Sequence, residues 1–166
     1  MMTENAQFVE QAKIAWTLAS VTPSSSKPKY VSLKNYERVT AVIKAVNATT
    51  VTGSAITLLQ ATDINNANSD EKAVAFTSAY RTLDVATNGD ALTAFTVSSN
   101  TFTTDATNSK NNIYVIEITP DMLDIANGFD CVRVGAGNAT ATSIDVEMIL
   151  WPAKYGKTSP PTAEAN

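Results

Sequence analysis

Ser143-Ile144-Asp145-Val146-Glu147-Met148-Ile149-Leu150-Trp151 is the stretch that decides the fold. In an extended chain Ile144, Val146, Met148 and Leu150 fall on one face, and Asp145, Glu147, Ile149 and Trp151 on the other. Successive strand side chains point to opposite faces, so this period of two reads as a strand with one buried face. Upstream, Ile113-Tyr114-Val115-Ile116-Glu117-Ile118 gives the clearest strand signal, and the chain returns as a strand over Phe129 to Val134. Between them, Thr119-Pro120-Asp121 predicts one short helix near 120–126. Thr119 can cap it, Pro120 suits its first position and Asp121 favours its positive end. Asn127-Gly128 stops it, because Gly adopts positive φ without strain.

Working further upstream, Tyr36 to Val46 carries apolar residues on both faces and reads as a central strand. Ala55 to Thr62 follows after an Asn47 to Gly53 turn, and the two segments read as a hairpin. Ser69-Asp70-Glu71-Lys72 reads as capping one helical turn before Ala73 to Phe76. Asn88-Gly89-Asp90 marks a turn, Ala94 to Val97 and Asn100 to Thr103 two short strands, and Gly135-Ala136-Gly137-Asn138 another turn. Ile14, Trp16 and Leu18 alternate with small residues and predict a first strand. The total is about seven to nine strands with turn signals every ~8–12 residues, which describes an all-β antiparallel β-sandwich. A jelly roll is the first expectation and a Greek-key barrel the alternative. The predicted organisation is a flexible N-terminal arm over 1–12, a single β-rich domain over 13–155 and a disordered tail over 156–166. Within the arm, Phe8, Ala12 and Ala15 have a weak helical spacing.

Composition narrows the function classes. Of the 166 residues, 44% are hydrophobic and 17% charged, against a usual charged share of about 25%. Thr, Ser, Asn and Ala fill the difference, and neutral polar groups cost far less to desolvate than charges. A surface of this kind is cheap to cover with a partner. The net charge of −4 and the lack of a Lys/Arg cluster argue against nucleic-acid binding, since phosphate backbones repel an acidic chain. The N-terminal residues lack the basic start and apolar core of a signal peptide, and no run approaches the ~20 apolar residues of a membrane span. The expectation is a chain made in a cytoplasm and independent of membranes.

Catalytic chemistry finds little support. Histidine is absent and Cys131 is the single cysteine, so the residues alone expect no imidazole base, no Ser-His or Cys-His pair and no zinc site. Cys131 sits in an apolar run and reads as a buried, inert thiol. Asp145 and Glu147 share a strand face at roughly 7 Å, within the span of a glycosidase pair, but they also suit a solvated face. Asp63-x-Asn65-x-Ala67 superficially follows a calcium loop, yet lacks the turn glycine and the bidentate Glu, with Val74 at the twelfth position. Gly135-x-Gly137 is too short for a phosphate loop. The reading is therefore a non-enzyme with no cofactor and no metal. Trp16 and Trp151, with Phe8 and Tyr155, are the candidate partner-contact residues, because exposed aromatic side chains anchor interfaces.

Taken together, Val31 to Thr40, Ile56 to Asp63, Ile113 to Val134 with its Leu123-Asp124-Ile125-Ala126-Asn127-Gly128-Phe129-Asp130, and Ile149-Leu150-Trp151-Pro152-Ala153-Lys154-Tyr155 resemble small virion structural proteins of tailed bacteriophages. The resemblance spans roughly residues 31–155 and carries no catalytic motif. It implies a head decoration, or cement, protein on the capsid surface, with the major capsid protein and further copies of itself, a homotrimer first, as partners. No contact residue of that family maps onto a position here. The alternative function is a phage tail or adsorption component, or a carbohydrate-binding sandwich module with an exposed aromatic groove.

Overall fold

The computed structural model describes residues 7–23, 28–66 and 68–153. A four-residue helical turn, α1 (Phe8–Gln11), leads into strand β1 (Lys13–Val21). The chain continues through β2 (Val31–Ser32), β3 (Tyr36–Asn47), β4 (Ala55–Ala61), β5 (Lys72–Ala73) and β6 (Ser78–Thr82). A second turn, α2 (Val85–Asn88), precedes β7 (Thr93–Thr96), β8 (Thr101–Thr103) and β9 (Asn111–Ile118). Two 3-10 turns, Pro120–Met122 and Ile125–Asn127, then lead to β10 (Cys131–Ala136) and β11 (Thr142–Ala153).

These strands form two antiparallel sheets. The larger has six strands in the order β1-β11-β3-β9-β6-β7, and the smaller has five, β2-β10-β4-β5 with β8 also paired to β4. The chain crosses between the sheets at nearly every step, so β1, β3, β9 and β11 lie side by side in one and β2, β4, β5 and β10 in the other. Strands from the two ends of the chain interleave in both, which is the double wrapping of a jelly roll. Two separate sheets, each with its own edges, replace the closed Greek-key barrel of the alternative reading.

The deciding stretch sits where its pattern demands. Ile144, Val146, Met148 and Leu150 are wholly buried, facing the interior from β11. Large side chains oppose small ones across the ladder: Met148 lies against Ala41 and Ile144 against Ala45. From the other sheet Ile56, Leu58, Val132 and Val134 complete the core. Each such aliphatic side chain contributes about 1.5–3 kcal/mol relative to an exposed one. Phe76, Phe95, Phe102 and Tyr114 close one flank: Phe102 meets Phe76 and Phe95 edge-on, the latter with centroids 5.2 Å apart, and Phe95 meets Tyr114 edge-on, the geometry that ring quadrupoles favour, while Phe102 and Tyr114 are tilted at 38°.

Several local expectations change. Tyr36 to Val46 and Ala55 to Thr62 do not form a hairpin: β3 and β4 belong to different sheets, because each buries a face against the same core from opposite sides. The segment after Ser69 forms β5 and not a helical turn, since its polar side chains have tertiary partners: Asp70 accepts from Thr62, Glu71 pairs Arg133 and Lys72 pairs Asp124. The single helix near 120–126 is two 3-10 turns broken at Leu123, whose buried side chain joins the core. Gly128 ends the second at φ 85°, as expected. The unpredicted turn α2 is capped by Asp84, whose carboxylate accepts from Ala86 N at 3.3 Å and from Thr87 Oγ1 at 2.8 Å. Gly135 lies within β10 and not in a turn; a Cβ there would stand 2.5 Å from Thr57 Oγ1, so the close approach of β4 requires glycine. The expected tail and the first half of the expected N-terminal arm, residues 1–6, lie outside the described residues.

Candidate docking surface

The two sheets differ in what covers their outward faces. On the smaller sheet Cys131 and Arg133 point outward yet are buried, because the loop after β4 brings Ile64 and Glu71 against them, while the outward Ala55, Ala73, Thr101 and Thr103 are exposed. Tyr30, Ala61 and Cys131, with Ile64, form a second small apolar cluster beneath this loop. The loop is fastened by charge. Arg133 donates to Glu71 Oε2 through Nε at 2.7 Å and Nη2 at 2.6 Å, two charge-assisted bonds converging on one oxygen. Tyr30 OH donates to the same oxygen, and the guanidinium stacks 5.3 Å from the Tyr30 ring centroid. Burial, with the Glu71 carboxylate alongside, pushes the Tyr30 phenol well above its ordinary range. Burial, with Asp130 beside it, does the same to the Cys131 thiol, so thiolate is scarce at neutral pH.

The larger sheet is covered only in part: α2 lies beside β9 and Asp145 is buried. Its registers align one row of outward side chains across all six strands: Trp16, Glu147, Val42, Val115, Tyr80 and Ala94. Six strands at about 4.8 Å spacing make this row about 24 Å long. A neighbouring row holds Ile14, Ile149, Thr40 and Glu117. Trp16 is 57% exposed and Ile14 54%, high values for large apolar side chains in ordered strands. Trp16 is also fixed in place: its Nε1 donates to Leu18 O at 2.9 Å, where a register shift bends β1.

Trp151 stands further along β11, opposite Arg38. Its Nε1 donates to Thr40 Oγ1 at 3.1 Å, and the Arg38 guanidinium lies 4.9 Å from its ring centroid. Thr40 Oγ1 in turn donates to the Glu117 carboxylate at 3.0 Å. A chain of partners on β11, β3 and β9 therefore holds this ring half-buried and oriented before any partner arrives. Low rotamer freedom in the free protein reduces what ordering costs on binding.

The candidate residues thus divide. Trp16 and Trp151 share the open face. Phe8 is exposed on α1, next to the start of β1 and off the main row. Tyr155 lies outside the described residues. Asp145 and Glu147 share this face as well, two residues apart on one strand and not across a cleft, with Asp145 buried. In the Asp63 to Val74 segment the acids bind the loop itself: Asp63 accepts from Asn65 N at 2.8 Å, and Asp70 accepts from Thr62. Among the described residues no three of His, Cys, Asp and Glu converge on a point that could hold a metal ion. Sequence reasoning missed Tyr80, Val42 and Val115, because only the cross-strand registers bring them beside Trp16.

No family model matches the sequence, and no curated protein matches it. Among solved structures, the SPBc2 prophage-derived protein YomS aligns over 84% of this chain and 91% of its own, at 12% identity and a TM-score of 0.42. That likeness is too distant to bear on function.

Proposed function

We propose that this chain is a structural protein of a tailed-phage virion, a head decoration protein that docks on the major capsid protein lattice and associates with copies of itself. The observation that carries the reading is the asymmetry of the sandwich. One sheet is partly covered by its own loop, while the other presents a row in which Trp16 and Tyr80 are exposed and Val42 and Val115 half-buried. Apolar and neutral polar groups dominate that face, so a partner can desolvate it at low cost, and aromatic anchors concentrate binding energy. The resemblance of residues 31–155 to phage virion proteins supplies the choice of partner. Repetition on a lattice multiplies weak contacts, so no single contact need be strong. The reading assigns the chain no reaction and no cofactor.

The test is reconstitution. Purified chain is added to phage heads prepared without it, and particles are imaged after washing. Ordered density repeating at capsid lattice positions is the expected result. Bare heads, with density on tails or retention on a glycan array, would overturn the capsid reading. They would favour the tail or carbohydrate-binding alternative, in which the exposed Trp16 ring serves as a stacking platform for a sugar.

A further inference from the structure

We propose that the helical turn α1 of one copy seats in a hollow on the outward face of a second copy. The inference rests on the self-association part of the function proposed above and names its contact. The turn is a small apolar knob: Phe8 is 43% exposed and Val9 63%. It is held in shape by Ala12 N donating to Phe8 O at 2.8 Å and by Gln7 N donating to Glu10 Oε2 at 2.8 Å. Ala12, buried behind it, anchors the turn to the sandwich.

A matching hollow lies where α2 overhangs the larger sheet. It is lined by Lys44, Val46, Val85, Ala86, Asn111 and Ile113 and encloses about 540 Å³, room for a phenyl ring and an isopropyl group together. Its walls are mainly aliphatic, and Lys44 stands on its floor, opposite Asp145 on the neighbouring strand. The turn carries Glu10 and no cation. The pair is complementary in both shape and charge: an apolar knob with one acid meets an apolar hollow whose one lining charge is basic.

The hollow cannot be filled by the turn of its own chain. Lys13, where α1 joins β1, is paired with Leu150, which is level with Val39 on β3. The hollow sits at Lys44 and Ile113. That is three strand spacings sideways, about 14 Å, and five residues along, about 17 Å, with α1 anchored at the far corner. Knob and hollow lie on different parts of the surface, so the contact is head-to-tail: it closes into a ring when the rotation permits, and otherwise propagates. So small a contact is weak between two free copies and becomes effective when copies are held side by side on a lattice.

The test uses the full chain. Val9→Cys and Val85→Cys are made in separate chains, mixed and mildly oxidised; both sites are exposed and tolerate substitution. A disulfide-linked pair should form at least tenfold faster than when Val9→Cys is mixed with Ala75→Cys on an exposed site elsewhere. In a second arm Glu10→Lys should weaken self-association about tenfold by sedimentation, and Lys44→Glu in the same chain should restore it. Restoration separates the charge contact from any damage to the turn, which Lys44→Glu cannot repair. Equal cross-linking at both sites, or no restoration, would overturn the inference, as would a native chain monomeric at every concentration. Retained binding of the native chain to heads would then leave capsid docking standing. Loss of head binding with cross-linking intact would sink the docking reading alone.

Discussion

Replacing Trp16 with alanine separates docking from folding. The ring is 57% exposed, so of the roughly 250 Å² that a Trp side chain can bury, about 140 Å² remains open for a partner to cover. At about 25 cal/mol per Å² that area is worth at most about 3.5 kcal/mol. Binding never realises the whole of it, because ordering and imperfect fit take a share; about 2 kcal/mol, or about thirtyfold in Kd, is the working figure. The folded chain loses something too. Trp16 contributes one hydrogen bond to Leu18 O and about 110 Å² of buried area, so stability should fall by about 1–2 kcal/mol. The assay is a pair of measurements on one preparation: urea unfolding, and occupancy of chain-free phage heads against concentration. A thirtyfold weaker occupancy curve is expected under conditions where the unfolding curve shows the variant still fully folded. Trp151→Ala should move both, since that ring is half-buried between Thr40 and Arg38. If Trp16→Ala leaves occupancy intact, the open face is not the docking face.

Three other outcomes follow from the interior and the ion pairs. Gly135→Ala should destabilise by about 1–3 kcal/mol through overpacking against Thr57 Oγ1, and Thr57→Ala in the same chain should recover most of that, measured as a double-mutant cycle in urea. Met148→Ala should cost about 3–4 kcal/mol in the same assay, because its cross-strand neighbour is Ala41, which cannot fill the cavity. The Lys110 ammonium, 2.6 Å away, holds the Asp84 carboxyl below its ordinary value of 3.8. A carboxyl depressed on folding adds stability that is fully present above that ordinary value and is lost as pH falls below it, through the lowered folded value. An acid titration of Asp84→Asn, followed by fluorescence, should therefore lose less stability below pH 3.8 than the parent.

The strands legible in the sequence are those whose burial is one-sided. β11 and β9 show clean alternation because one face meets the core and the other meets solvent, and their buried rows are the predicted ones. What the sequence concealed is which strand lies beside which. The β3 and β4 segments have similar patterns, and nothing local distinguishes a hairpin from two strands facing each other across a core. The helical reading after Ser69 followed real capping residues. Asp70, Glu71 and Lys72 spend those side chains on Thr62, Arg133 and Asp124 instead, and the last two partners are too distant for a local window to see. Conversely, Asp84 and Gly89 bracket α2 as a cap and a stop, a signal present in Asp84-Val85-Ala86-Thr87-Asn88-Gly89 but only one turn long. Two of the site's aromatic residues could be picked out by type alone. Their shared face, and the membership of Tyr80, depend on registers spanning six strands.

The position of β11 between β1 and β3 has a consequence for biogenesis. Val146 completes the ladder beside Ile43, and about a hundred residues must be translated between them. At ribosomal speeds of about 5–20 residues per second, β3 waits several seconds with one hydrogen-bonding side vacant. The nascent chain therefore spends the interval from β3 to β11 with bare strand edges, in an environment where its siblings are emerging nearby. A sandwich whose keystone is translated after the strands it joins matures all at once when that strand emerges. Chains that stall early should be cleared or aggregate, with no half-built form accumulating.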